Sequence, residues 1–197
     1  MDKSFVCRVL IIFLLLITPT CNAIATETNA PPKVGNRLVF NFNKTQRMDL
    51  IKQITPVSYT YQKTNGQLIE SIYGVIDIDI AAGHILTDSE RSKILKLNDG
   101  AEKLIKFQYS GNSGSGNWTR SVIINSSNSG KTRFRGTDYE TITLKGEVDA
   151  PGWYHMEFEC KYAIELGICL TNSKKTYSKR NPKINGTVDI TLVEIQR

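Results

Sequence analysis

The chain has 197 residues, 40% of them apolar, and carries a formal net charge of +6 from 25 basic and 19 acidic side chains. That is enough chain for one domain with its own core. The basic residues are scattered. Their one cluster, Lys174-Lys175 with Lys179-Arg180, lies in a Ser/Thr/Asn/Pro-rich stretch, so the interleaved basic and aromatic stripe of a nucleic-acid surface is missing and no nucleic-acid partner is expected.

The N-terminus reads as a secretory signal peptide over residues 1–23. Lys3 and Arg8 precede an apolar run from Val9 to Ile17, and the small-x-small pattern Cys21-Asn22-Ala23 is followed by Ala23-Ile24-Ala25. The run is about half the ~20 apolar residues that a membrane-spanning helix needs. Cleavage after Ala23 or Ala25 leaves about 172–174 residues. Cys21 is not preceded by the aliphatic-then-small stretch of a lipidated cysteine, since Thr18-Pro19-Thr20 stands there. Removal of the signal takes Cys7 and Cys21 with it and leaves Cys160 and Cys169, which most simply form one disulfide between neighbouring strands.

Residues 24–35, with Pro31-Pro32, read as an extended leader. Leu38, Phe40 and Phe42 then alternate with Val39, Asn41 and Asn43, a first strand inside the segment 36–46. The domain proper spans 47–197. Met48 to Ile51 is an apolar patch, and Val57 to Lys63 alternates with Tyr59 and Tyr61 on one face. Asn65-Gly66 predicts a hairpin into Gln67–Tyr73. Val75 to Ile80 is a strand with Ile76, Ile78 and Ile80 inward. Thr87-Asp88-Ser89-Glu90 has capping-box spacing and predicts a short helix. Strands follow at Lys103–Tyr109, Trp118–Ile124, Thr141–Val148 and Gly152–Cys160. Gly111 to Gly116 and Asn125 to Gly130 read as loops, and Lys161 to Asn181 as an insertion. The last strand, Gly186 to Ile195, alternates Val188, Ile190 and Leu192 with Asp189 and Thr191. Many short strands between Gly/Asn/Ser turns predict an all-β sandwich or barrel.

Little of this points to catalysis. Asp77, Asp79 and His84 are near one another in sequence, but alternation with isoleucines places both aspartates on a solvent face. His155 shares a face with Glu157 and Glu159. Gly114-Ser115-Gly116 lacks the spacing and the following helix of a nucleophile elbow, and no glycine loop precedes a helix as in a phosphate cradle. No enzyme, cofactor or metal is expected. Trp118 beside Asn117 has two readings. It is the end of a core strand, or it stacks on a sugar ring beside an amide.

Two segments carry a family resemblance. Leu38-Val39-Phe40-Asn41-Phe42-Asn43, Met48-Asp49-Leu50-Ile51 and Pro56-Val57-Ser58-Tyr59-Thr60-Tyr61 open the chain, and Gly186-Thr187-Val188-Asp189-Ile190-Thr191-Leu192 closes it. Together with Ile105-Lys106-Phe107-Gln108-Tyr109-Ser110-Gly111, they resemble pilins of the class 5 (alternate chaperone–usher, colonisation-factor or alpha-fimbrial) family. The resemblance implies an incomplete immunoglobulin-like sandwich completed by a donated strand. It implies a structural subunit, major or minor, of an adhesive fimbria, exported through the periplasm to the cell surface. The partners implied are neighbouring pilin subunits, a periplasmic chaperone, an outer-membrane usher and a host-cell receptor or glycan. Leu38, Phe40 and Phe42 of 36–46 would be the donor residues, and Val188, Ile190 and Leu192 would line the acceptor groove. The cysteine pair and the Lys161–Asn181 segment set the chain apart from major pilins. The alternative is a self-contained, secreted, lectin-like sandwich that uses Asn117 and Trp118.

Overall fold

The computed structural model describes residues 30–197 except 44, 81, 82, 85, 99, 114, 115, 182 and 184. The expected signal peptide, its cleavage site and most of the leader lie outside the described residues. Eleven antiparallel strands form one sheet: β1 (Arg37–Phe42), β2 (Thr45–Ile54), β3 (Ser58–Gln62), β4 (Leu68–Ile72), β5 (Ile76–Asp79), β6 (Leu104–Ser113), β7 (Gly116–Phe134), β8 (Thr137–Ala150), β9 (Tyr154–Ala163), β10 (Ile168–Ser178) and β11 (Gly186–Gln196). Among the described residues one helix, α1 (Asp88–Asn98), stands between β5 and β6.

The sheet order is β5-β4-β3-β2-β1-β11-β10-β9-β8-β7-β6. Two meanders, β1–β5 and β6–β11, are therefore joined where the first strand meets the last. The two outer strands, β5 and β6, come back together. Ile76 and Ile78 of β5 share a core with Ile105 and Phe107 of β6, and Ile94 and Leu97 of α1 pack into the same cluster. The sheet thus closes on itself in a sandwich-like all-β fold, with the helix bridging its two edges.

Local chemistry explains most of the elements. Asn65-Gly66 turns β3 into β4 as expected, with Gly66 at φ 85° and its N–H donating to Lys63 O at 2.9 Å. Thr87 caps α1, its Oγ1 accepting from Glu90 N at 3.3 Å. The helix is tied down by Arg91, whose guanidinium forks onto Glu70 of β4 (Nη2 to Oε2 at 2.8 Å). Burial pushes the Glu70 carboxyl up, but the Arg91 fork and the Ser58 hydroxyl outweigh it and hold the pKa below the ordinary value.

Four expectations meet a different arrangement. First, within the single chain the strand expected to be donated pairs with its own neighbours. β1 pairs with β2 on one side and β11 on the other, Leu38 facing Asp49 and Ile195, and Phe40 facing Arg47 and Leu192. Residues 43 and 44 alone connect it to β2, so β1 has no slack to leave without β2. Leu38, Val39 and Phe40 are all buried. Second, of the expected groove residues Ile190 and Leu192 are buried, but Val188 is exposed at 37% because β1 ends opposite Ile190. Third, Asn125–Gly130 is strand, not loop. β7 runs through it against β8, with a register shift between Ser127 and Ser129. Gly111–Gly116 likewise holds its ladder as far as Ser113 opposite Gly116. Fourth, the Lys161–Asn181 insertion contains β10, which pairs with both β9 and β11.

The disulfide is as expected. Cys160 on β9 bonds Cys169 on β10, with the Cα atoms 5.9 Å apart. The bond closes a loop over a sequence separation of 9, so replacing both cysteines with alanine should cost about 2–3 kcal/mol by loop-closure entropy, measured by urea unfolding under oxidising conditions.

The interior also holds charge. Asp49 of β2 is completely buried and meets Arg47 Nη2 at 2.8 Å. The guanidinium lies over the rings of Phe42 at 4.4 Å and Tyr61 at 5.1 Å. Asp77 does not face solvent as expected. It is half-buried and accepts from Ser71 Oγ at 2.8 Å and Tyr61 OH at 3.2 Å. Burial raises the Asp49 pKa to about 6, with Arg47 opposing the rise. A carboxyl raised on folding stabilises the native state below its unfolded pKa near 4 and loses that contribution as pH rises through about 6. Measured by chemical denaturation, the wild type should therefore lose stability relative to Asp49→Asn as pH rises from 4 to 7, then run parallel to it. A constant difference across that range would mean that Asp49 ionises normally.

Candidate functional site

Trp118 lies on β7 opposite Gly111 of β6. A Cβ at position 111 would overlap the Trp118 indole and stand 2.9 Å from His84 Cδ2. The bare glycine is what lets both rings lie against the strand. His84, just past β5, meets Trp118 edge-on, centroids 4.3 Å apart at 82°. Tyr109 meets the same indole edge-on at 6.1 Å. These are the attractive geometries for aromatic pairs.

Arg120 is two residues along the same face of β7. Its guanidinium lies 4.6 Å from the Trp118 ring, 5.1 Å from Tyr154 and 5.7 Å from Tyr109. Its Nη1 donates to Tyr109 OH at 3.3 Å. Across from it, the β8–β9 turn brings Ala150, Pro151 and Trp153. Trp153 N donates to Ala150 O at 2.9 Å to close the turn. Arg180 stacks over the Trp153 indole at 4.0 Å, and its Nε donates to Gly152 O at 3.0 Å. Between these elements lies a cleft of about 510 Å³, lined by His84, Asn117, Trp118, Thr119, Arg120, Ala150, Pro151 and Trp153.

The polar groups in the cleft are two donors, His84 and Arg120, and two groups that both donate and accept, Asn117 and Thr119. Asp79 N–H donates to His84 Nδ1 at 2.9 Å, so the neutral imidazole carries its proton on Nε2. Burial first, and the Arg120 charge second, push the His84 pKa below its ordinary value, against an opposing pull from Asp79. His84 is therefore neutral at pH 7 and offers an N–H. Burial likewise raises the Tyr109 hydroxyl to about 12, so it too keeps its proton. Asn117 and Thr119 add an amide and a hydroxyl. Two indoles with such groups between them form an amphipathic slot. It suits a ligand with flat apolar faces and a polar edge.

Of the residues singled out in the sequence, Asn117 and Trp118 are in this cleft. Trp118 packs on the core cluster with one part and lines the cleft with another. Leu38, Phe40, Ile190 and Leu192 belong to the second core cluster, with Phe42 packed on its margin. His84 joins the cleft rather than a metal site, and no cluster of three metal-ligating side chains occurs among the described residues. His155 sits 3.7–3.9 Å from Glu157, Glu147 and Asp149 on a polar face. Sequence reasoning did not connect His84, Arg120 and Trp153 to Trp118. The Arg120–Trp118 spacing of two on a strand was a usable signal, whereas the approach of the β8–β9 turn left none.

No protein-family model matches the chain, and no curated protein matches it. Among solved structures it is similar to the hypothetical lipoprotein YmcC of Escherichia coli K12, at 9% identity over 88% of this chain and 93% of that one, with a TM-score of 0.49. It is also similar to an exported protein with a YmcC-like fold from Bacteroides fragilis, at 8% identity over 86% of this chain and 99% of that one, with a TM-score of 0.35.

Gly111→Ala tests the construction of the site. The added methyl should displace Trp118, shift its fluorescence emission and cost about 1–3 kcal/mol through overpacking. Gly130→Ala, where nothing lies within 4 Å of an added Cβ, should leave the emission unchanged.

Proposed function

We propose that the protein is an exported carbohydrate-binding β-sandwich whose ligand lies in the Trp118–Trp153 cleft. The observation that carries this reading is the pairing of two indoles from different elements around one 510 Å³ slot, with Asn117, Thr119 and Arg120 along it. Sugars present apolar C–H faces to aromatic rings and hydroxyls to amide, hydroxyl and guanidinium groups. Export is supported by the basic, apolar, small-residue order of residues 1–25. It is supported also by a disulfide that persists only in an oxidising compartment.

The fimbrial reading is less well supported. Donation of residues 36–46 to a neighbour would break the ladders of β1 with both β2 and β11 and empty the core positions that Leu38 and Phe40 fill. The cleft requires no such rearrangement.

The test is a glycan array probed with the purified, oxidised protein, followed by titration of the best glycan. Trp153 is 51% exposed, so Trp153→Ala should leave the melting temperature nearly unchanged while weakening the best glycan about tenfold or more. Failure of the wild type to bind any glycan, or full affinity in Trp153→Ala, would overturn the proposal.

A further inference from the structure

We infer that the ligand of this cleft is an anionic saccharide, its acid group received by Arg120. The inference rests on the carbohydrate-binding reading and narrows it to a chemical class.

Three arginines among the described residues are half-buried: Arg47, Arg91 and Arg120. Arg47 meets Asp49, and Arg91 meets Glu70. Arg120 meets no carboxylate within ion-pair distance among the described residues. It has three aromatic rings and one tyrosine hydroxyl instead. Ring faces offset part of the desolvation of a cation, but they leave its in-plane N–H groups without a charged acceptor. A guanidinium held this way at a cleft wall is a fork ready for a carboxylate or sulfate.

The rest of the cleft agrees. None of the eight lining residues is acidic. His84 turns its protonated Nε2 away from the Asp79 amide that fixes the other nitrogen. Arg180, stacked on Trp153, adds a second positive charge and forms no ion pair among the described residues. Asn117 and Thr119 can both donate and accept, but the charged groups here, Arg120 in the lining and Arg180 on Trp153, are positive, which is the complement of an anion.

The test compares acid and neutral forms of one glycan on the intact oxidised protein. An array carrying neutral, uronic-acid, sialylated and sulfated oligosaccharides is probed first. The best carboxylated glycan is then titrated beside its carboxyl-reduced partner. The acid form should bind about tenfold or more tighter, because a charge-assisted hydrogen bond is lost on reduction. The difference should shrink as salt is raised. Arg120→Gln should bring the two forms to equal affinity, with near-UV circular dichroism reporting whether the aromatic cluster is intact. Arg120→Lys should keep part of the preference. Sulfated glycans bound in place of carboxylated ones would sustain the inference with sulfate as the acid, compared against the desulfated form.

Binding confined to neutral glycans, equal affinity of the acid and reduced forms, or a preference that survives Arg120→Gln would overturn this inference and leave the carbohydrate reading standing. No binding to any glycan would remove both.

Discussion

The β1–β11 ladder is the contact on which the architecture depends. It joins residues 37–42 to residues 190–196, the two ends of the described chain. Each meander on its own would expose a strand edge and an apolar face. Pairing the ends places Leu38, Phe40, Ile190 and Leu192 in one cluster with Ile51, Tyr59 and Tyr61. The register slips between Val39 and Phe40, where Glu194 and Leu192 are successive partners. Such a bulge increases local twist, and Leu38, Val39 and Phe40 are buried in succession there rather than alternately. A ladder between chain ends is also the most expensive kind to close, since the intervening chain must be ordered before it is rewarded.

Closure has an electrostatic consequence. Rolling the sheet brings charged side chains of β2 and β10 inside. Lys174 reaches the Val75 carbonyl beside β5, and Arg47 covers Asp49. A buried ion pair of this kind adds little net stability compared with an apolar pair. It does constrain register, because a one-residue slip of β2 would carry both Arg47 and Asp49 to the opposite face. Helix α1 plays a comparable part at the seam, where the Arg91–Glu70 fork positions it over β4 and β5.

The sequence revealed strands through period-2 alternation, and that signal worked where one face was wet. β9 and β11 were legible for this reason; β1 and β3 alternate in residue type although they are buried on both faces, and the Asn65-Gly66 turn and the Thr87 cap carry their own local chemistry. The signal failed for the side chain of Asp77 on β5, which is half-buried. Asp77 alternates with isoleucines yet points at Ser71 and Tyr61. It failed again for the polar extensions of β7 and for β10, whose Ser, Asn, Thr and Lys residues read as loop. There, pairing on both sides overrides intrinsic preference. The disulfide was legible from cysteine count alone. Half of the cleft was legible: Asn117 and Trp118 stood out by type, but no local pattern records that residues 150–153 fold back to face them.

The cleft exists because of a mismatch in strand lengths. β6 and β7 remain paired from Ser121 out to Gly116, whereas β8 leaves β7 at Asp149, opposite Ser121. The hairpin therefore overhangs its neighbour, and the β8–β9 turn rises beside the overhang instead of continuing the sheet. The vacancy left by the absent third strand is the slot, with Ala150 and Pro151 at its base and Trp118 and Arg120 on the overhanging face. Gly111 sharpens this arrangement, since a side chain there on β6 would occupy the place where Trp118 and His84 meet. A sheet selected only for stability would fill that step with a longer β8. Here the step is lined instead with two indoles and an arginine that has no counter-ion among the described residues, which is why the overhang, rather than the strand edges, is the place to look for a ligand.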